Sequence, residues 1–510
     1  MKEFLKKLGR GVTGRKGIGN TVTVAIIIAV VMLNILAYTL TNAFGLYFYS
    51  PEVDDLSISG STDELFENAI LLGKKVTITF CYAEDKLEKH DTGSFVLTTA
   101  REFEKRYPEL IDLRFVSLLT KMDENGVVVD FKKYLEDGKN KLKQNSVIFE
   151  SGEGEEWSCR VITDNASSAG FVDFYTLDGA GNIISYNGEE VMAAMISWVL
   201  QDEHPVAYFT QNHGETADVA FSNLLTCAGF YVEAINLRKS EIPEDAGMVI
   251  ISNPTSDFEM TVDNSTVRGE INKLESYLER GGKLYVALDP YVKELKNLEG
   301  LLKKWGITLS GEYDENGILV RDTVRENSYA ITTDGYTFVA NHAENEISQK
   351  ILEKVQKYGN DRVLISEVTR LKLDESLGAM PLLVSGDTSS TYAGGELTDS
   401  EGGYAVAACS VRAEKDGKES TVFVIPTAYI TASDAFLSES YSNKDFIYST
   451  LEVLFDSNPT PRGCNRVTYR TTILENLTMG RAKTYTAIIL AIPALIAVFG
   501  TVTIIRRKNR

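Results

Sequence analysis

Pro205–Glu215 reads PVAYFTQNHGE: a short β-type run, Val206–Thr210, passing straight into a polar loop with a histidine, a glycine and a carboxylate. The residues beyond it repeat the rhythm. A helical stretch keeps Val219, Leu224, Leu225 and Ala228 on one side, strand Tyr231–Leu237 comes next, and an apolar strand Met248–Ser252 ends in Asn253-Pro254. A second helix carries Val267, Ile271, Leu274 and Leu278, stops at Gly281-Gly282 and hands over to strand Lys283–Asp289; helix Leu295–Trp305 then stops at Gly306. Alternation of this kind predicts a doubly wound parallel sheet.

Sheets of that class hold ligands at the carboxyl ends of their strands, where Asn212, His213, Glu215, Asn253 and Asp289 gather as a candidate ligand or partner cleft. His213 and Glu215 are residue types suited to an acid–base pair or to metal ligation; equally, Glu215 suits a helix N-terminus and His213 a turn. Nothing else completes a catalytic set: the chain has four histidines, no CxxC and no serine elbow. No catalytic residue, metal or cofactor is assigned. Gly73-Lys74, Gly282-Lys283 and Gly417-Lys418 lack both the upstream glycine and the following Ser or Thr of a P-loop, so direct ATP binding of that kind is excluded.

Upstream, residues 45–200 read as a separate α/β domain of thioredoxin-like size without a redox motif. Ser61-Thr-Asp-Glu64 is a capping box opening a helix through Leu65, Ala69 and Ile70, and Val76–Tyr82 alternates as a strand. Helix Ser94–Tyr107, strand Ile111–Val116, helix Phe131–Leu142 and strand Ser146–Phe149 continue it; strands near Trp157–Thr163 and Phe171–Leu177 and helix Gly188–Leu200 close it. Downstream, the second domain runs over 201–460 with an inserted elaboration at about 311–413. Within that, Gly386–Gly403 is Gly/Ser/Thr-rich and reads as a mobile loop. Strand Thr421–Pro426 and helix Asn443–Leu454 return to the α/β style, and 461–483 reads as a juxtamembrane linker.

Both ends of the chain are apolar. Thr21–Leu40 (TVTVAIIIAVVMLNILAYTL) has the length a ~30 Å hydrocarbon core asks of a helix, and Thr484–Ile505 is a second such run. They predict transmembrane helices over 21–44 and 484–505. Lys2, Lys6, Lys7, Arg10, Arg15 and Lys16 precede the first and Arg506, Arg507, Lys508 and Arg510 follow the second, which predicts basic cytoplasmic tails (1–20 and 506–510), a two-pass plasma-membrane protein and an extracytoplasmic bulk. The rival, a cleaved signal peptide ending at Thr41-Asn42-Ala43, asks for a shorter apolar core of about 7–15 residues. Phe44, Tyr47, Phe48 and Tyr49 suit a headgroup-level collar. Asn34 and the small face Ala487, Ala491 and Ala494 are candidate transmembrane contacts, with membrane lipid as a partner.

The tails carry formal charges of +5 and +4, so a chain at −20 leaves −29 between them. A bulk that acidic repels nucleic acid. The five cysteines are widely spaced and odd in number, which is neither a disulfide framework nor a zinc cluster.

Pro205–Glu215, IPEDAGMVIISNPTSDF (Ile242–Phe258), LESYLERGGKLYVALDP (Leu274–Pro290) and TAYITASDAF (Thr427–Phe436) together resemble the gliding-motility auxiliary component of ABC transporters, the GldG type. LSISGSTDELFENA (Leu56–Ala69) and GEEVMAAMISWVL (Gly188–Leu200) fit the same family. Its members usually show Gly-His-Gly-Glu where this chain has Asn212-His213-Gly214-Glu215. The resemblance implies a non-enzymatic auxiliary subunit working beside a separate permease and a separate ATPase. It also implies a second domain similar to glutamine amidotransferases without the catalytic cysteine. The alternatives are a membrane-tethered hydrolase using His213, Glu215 and Asp289, and a surface sensor or adhesin.

Overall fold

The computed structural model describes residues 56–468, apart from 124–125, 136–141, 144, 164–170, 178–180, 218, 261–268, 329, 414–416, 433–434, 437 and 439. All of them lie in one unit beginning at Leu56.

The first layer is built from α1 (Asp63–Leu71), β1 (Val76–Phe80), α2 (Glu84–Leu87), α3 (Gly93–Arg106), β2 (Ile111–Ser117), β3 (Met122–Asp123), β4 (Val147–Ser151) and β5 (Ser158–Ile162). Its five strands are ordered β3-β2-β1-β4-β5. Alternation in VTITF sends Val76, Ile78 and Phe80 to one face, where Val96, Leu97, Ala100 and Phe103 of α3 meet them. β1 and β2 pair in parallel across that helix, while β4 lies antiparallel to both β1 and β5. Of the helix expected over Phe131–Leu142, residues 136–141 lie outside the described residues; its start forms a 3₁₀ turn, Phe131–Tyr134, opened by Asp130 accepting the Lys132 N–H at 3.0 Å. The capping box at Ser61 is replaced by a 3₁₀ turn, Gly60–Thr62, and α1 starts without a side-chain cap. β6 (Tyr175–Leu177), β7 (Ile183–Tyr186) and α4 (Gly188–Val199) complete the layer.

The second layer opens with β8 (Val206–Thr210), α5 (Val219–Cys227), β9 (Tyr231–Ile235), β10 (Ala246–Ser252), α6 (Glu270–Leu278), β11 (Lys283–Ala287) and α7 (Lys296–Lys304). Residues 307–413 supply β12 (Ile307–Leu309), β13 (Gly311–Tyr313), β14 (Leu319–Arg321), β15 (Thr323–Arg325), β16 (Thr337–His342), α8 (Glu346–Gln356), β17 (Val363–Ser366), β18 (Leu371–Leu373), β19 (Ala379–Val384), β20 (Ser390–Ala393), β21 (Glu396–Asp399) and β22 (Ala405–Ala413). β23 (Glu419–Ile425), α9 (Asn443–Leu454) and β24 (Val467–Thr468) end the described chain. The 11-stranded sheet runs β17-β16-β19-β22-β23-β11-β10-β8-β9, with β12 and β18 off that path.

Both faces of this sheet are covered, and period-two alternation divides its side chains between them. Ala207, Met248, Ile250, Tyr285, Phe423 and Ile425 pack under α5, α8 and α9. Val206, Tyr208, Val249, Ile251, Leu284, Val286, Val422 and Val424 pack under α6 and α7. Central strands must therefore be apolar on both sides, which is why KLYVA and VIIS read as unbroken buried runs. After α6 the chain turns at Gly281, whose φ of +91° suits a residue without a Cβ.

Three sequence expectations are corrected. The doubly wound parallel, amidotransferase-like sheet is a mixed one: β9, β8, β10, β11 and β23 are parallel, but β22, β19, β16 and β17 continue it antiparallel. The segment 311–413 thus supplies strands of the main sheet, and its Gly386–Gly403 loop contains β20 and β21, with β20 paired to β15 on one side and to β21 on the other. The third correction concerns the membrane. Among the described residues no helix is long and apolar enough to cross one. The longest, α3, has 14 residues and includes Arg101, Glu102, Glu104 and Lys105, against the ~20 apolar residues a span requires. The two expected spans, 21–44 and 484–505, with the contacts assigned to Asn34, Ala487, Ala491 and Ala494, lie outside the described residues. No described element thus supports the two-pass plasma-membrane arrangement, its extracytoplasmic domains or its lipid partner.

Residues 57–59 and 465 are tied together through α4. Glu189, 3% exposed, accepts the Ser59 N–H at 2.8 Å, the Ser59 hydroxyl at 2.5 Å and the Asn465 N–H at 2.7 Å. Asn465 Nδ2 also donates to the Ser57 carbonyl at 2.6 Å, and Val467 pairs with Tyr186. The described end of the stretch read as a linker, residues 465–468, is thus clasped to the first layer. Replacing Glu189 with Ala strands these donors in a buried site, and urea denaturation of that variant is expected to show a loss of about 2–4 kcal/mol. An unchanged midpoint would show the clasp to be dispensable.

Candidate functional site

The parallel strands run in the order 2-1-3-4-5 along the chain, so the order reverses between β8 and β10. Loops 211–216 and 253–258 leave the carboxyl ends of those two strands, the place where such sheets usually open a ligand crevice. In this protein the place is filled. Asn212 and Gly214, with φ of +87° and +76°, bracket His213 and turn its ring inward, leaving it 1% exposed. Gly214 is required there, because a Cβ would lie 2.0 Å from Thr255 Oγ1. The His213 carbonyl accepts the N–H groups of Thr255 at 2.8 Å and Ser256 at 3.0 Å, fastening one loop to the other.

The ring itself is caged. His213 Nδ1 lies 3.0 Å from Glu215 Oε1 and Nε2 lies 3.0 Å from Glu270 Oε2, while Phe258 stacks on its face at 3.9 Å. Glu215 Oε2 accepts the His213 N–H at 2.6 Å, and Glu270 Oε2 accepts the Glu259 N–H at 2.9 Å. Burial pushes the imidazolium down, but hydrogen bonds to Glu215 and Glu270 and then their charges outweigh it, leaving the group up at about 9. Burial likewise pushes both carboxyls up, and the bonds from His213 and backbone N–H groups overcome it, so both sit below their ordinary range. A positive ring with both nitrogens occupied has no lone pair for a substrate proton and no open ligand position.

The other expected site residues hold backbone. Asn253 (φ +50°) donates its N–H to the Ala287 carbonyl at 2.9 Å, and Asp289 accepts the Tyr291 N–H at 2.7 Å in a tight turn. Among the described residues Asp289 makes no hydrogen bond or ion pair with His213, Glu215 or Asn253. Asn212 is exposed. The structure thus joins His213 to Glu215 and adds Glu270, which sequence reading missed; its signal was a carboxylate in the first turn of a helix otherwise packed by Ile271, Leu274 and Leu278.

Four of the thiols are poor nucleophiles. None of the five cysteines is in a disulfide, and burial pushes Cys81, Cys227 and Cys409 up to about 12 and Cys464 well above its ordinary value. No group of His, Cys, Asp and Glu among the described residues forms a metal site.

Open space lies elsewhere. A cleft of about 830 Å³ is walled by β5 and β6 of the first layer, by α4 and α5, and by residues 436–466. Apolar side chains such as Val191, Met195, Leu224 and Phe436 line part of it. In its lining Glu190 of α4 is ion-paired with Lys444 and accepts the Tyr448 hydroxyl at 3.2 Å, both from α9. Arg462, 5% exposed, donates to Ser449 Oγ at 2.7 Å and pairs with Glu452 at 2.6 Å. Sequence reading gave Glu190, Lys444, Tyr448 and Arg462 no site role, although Glu189-Glu190 at the head of a helix otherwise apolar all round was the available signal.

No protein-family model matches the chain and no curated protein matches its sequence. Among solved structures, the N-terminal domain of mmIFT52 is 13% identical, with 50% of this chain and 98% of that chain covered and a TM-score of 0.36. PurLQS from Thermotoga maritima is 14% identical, covering 49% and 98% with a TM-score of 0.27. An exo-β-1,4-mannosidase from Opitutaceae bacterium strain TAV5 is 14% identical, covering 55% and 41% with a TM-score of 0.25. Likenesses this distant say nothing about what the chain does.

The cage makes stability depend on pH. His213 is raised above its unfolded value of 6.5, so its contribution is complete below 6.5 and disappears as pH rises through about 9. Glu215 and Glu270 are depressed from 4.5, so theirs is present above 4.5 and disappears on acidification. Urea titrations at pH 6 and pH 9.5 are expected to differ by up to about 3 kcal/mol on this account. In His213→Gln the alkaline loss should vanish; if it persists unchanged, another group causes it.

Proposed function

We infer that this chain is a non-catalytic binding component, an auxiliary subunit that works beside a separate ABC-type permease and a separate ATPase. The observation that carries the non-catalytic part is the His213 cage: the histidine best placed for acid–base work is charged, buried and held at both nitrogens by Glu215 and Glu270. A general base needs a free nitrogen within reach of a substrate proton, and a hydrolase built on His213, Glu215 and Asp289 needs the three in contact. A structural role accounts for all the partners of these side chains. The transport partnership is supported by the order of the segments that resemble the auxiliary family, from Leu56–Ala69 to Thr427–Phe436.

The test is affinity purification of the tagged full chain from its own host, with the recovered subunits identified by peptide mass. Recovery of a permease together with an ATPase carrying nucleotide-binding motifs is expected; recovery of neither overturns the partnership. Asp289→Asn, which keeps the turn, should leave that recovery unchanged. A hydrolytic activity abolished by Asp289→Asn would instead establish the enzyme reading.

A further inference from the structure

We propose that the cleft between the two layers binds a small zwitterion of the amino-acid or short-peptide class, Asp445 taking its ammonium group and Arg466 its carboxylate. The proposal begins from which charges in the cleft are already used. Glu190 is consumed by Lys444 and Tyr448, Arg462 by Glu452 and Ser449, and Arg160 lies over the rings of Trp198 and Tyr231. Asp445 and Arg466 also line the cleft, yet among the described residues neither side chain makes a hydrogen bond or an ion pair. Arg466 Nε is buried without a partner. One acid and one base, unpaired with each other within a single cavity, complement a molecule that carries both charges at its two ends.

Their backbones are fixed beforehand. Asp445 sits in the first turn of α9, where Asn443 bonds both the N–H and the carbonyl of Leu364, at 2.9 and 2.8 Å. Arg466 lies between Asn465, held by Glu189, and Val467, paired with Tyr186. Two anchors set in place before binding cost little ordering entropy when a ligand arrives. Burial holds the Asp445 carboxyl above its ordinary range, an effect that Arg462 and Lys444 only partly oppose, so a bound ammonium would restore its charge. The cavity, at about 830 Å³, falls within the ~300–1,000 Å³ usual for small-molecule sites, and its apolar lining suits aliphatic side chains.

The inference rests on reading the chain as a binding component and is independent of the transport partners. A purification that recovers no permease leaves the titration below unaffected, and the reverse also holds. Tetra-alanine with free termini, its N-acetylated form, its C-terminal amide and the doubly capped form are titrated calorimetrically into the full chain. The free peptide should bind, and each cap should weaken it by about tenfold or more. Asp445→Asn should reproduce the loss caused by the acetyl cap and Arg466→Gln that caused by the amide, each variant being insensitive to its matching cap. Equal binding of the free and doubly capped peptides, no heat up to about 10 mM peptide, or unaltered binding by both variants overturns the proposal. The caps probe both contacts from the ligand side, so the test stands even where a variant folds poorly.

Discussion

Helix Gly188–Val199 is the element that both layers share, and the requirement that it be buried on every side governs much of the rest. Nine of its twelve residues are buried, which a surface helix with one apolar stripe would not show. One side packs into the first layer with β4 and β5, and α5 of the second layer covers another. The two carboxylates of its first turn then have to be satisfied inside the protein. Glu189 does so by gathering the N–H groups of Ser59 and Asn465, and Glu190 by pairing with Lys444 and Tyr448. A buried charge without partners is costly, so these contacts fix where the neighbouring segments run.

The same economy explains why the crevice of the parallel strands is closed. Positive φ at Asn212 and Gly214 sends His213 inward, and a buried imidazolium is stable only with anionic partners. Glu215 comes from its own loop and Glu270 from the first turn of α6, so the cage ties the end of β8 to the helix following β10. Strands and loops that elsewhere would hold a ligand here hold each other. A cleft lies instead at the junction of the layers, where α4 and α9 meet through the Glu190–Lys444 ion pair.

Much of the local structure was legible from residue pattern. Val206–Thr210 and Asn443–Leu454 have the bounds expected of them, and α3, α6, α7 and β23 fall within a few residues of expectation, because each has a period or stop signal inside its own segment. At Phe131–Tyr134 the apolar spacing suggests the start of a helix, whereas Asp130 caps a 3₁₀ turn. The polar stretch Gly386–Gly403 misled in the opposite sense. Its strands are marginal alone and exist because β15 pairs with β20, which in turn pairs with β21.

Sequence alone determined the alternating α/β character, the apolar strands of the sheet centre, the acidity of the chain, and the absence of a P-loop or CxxC motif, since each is a property of composition or of neighbours along the chain. Tertiary structure decided the antiparallel half of the main sheet, the role of His213, and the cleft bounded by Glu190, Lys444 and Arg462. Strand direction depends on which edge a segment meets, and the charge of a histidine on who surrounds it. Glu270 stands 57 residues from His213, and Tyr448 stands 258 from Glu190. No local pattern encodes contacts across such separations; only the folded chain brings those groups within hydrogen-bonding reach.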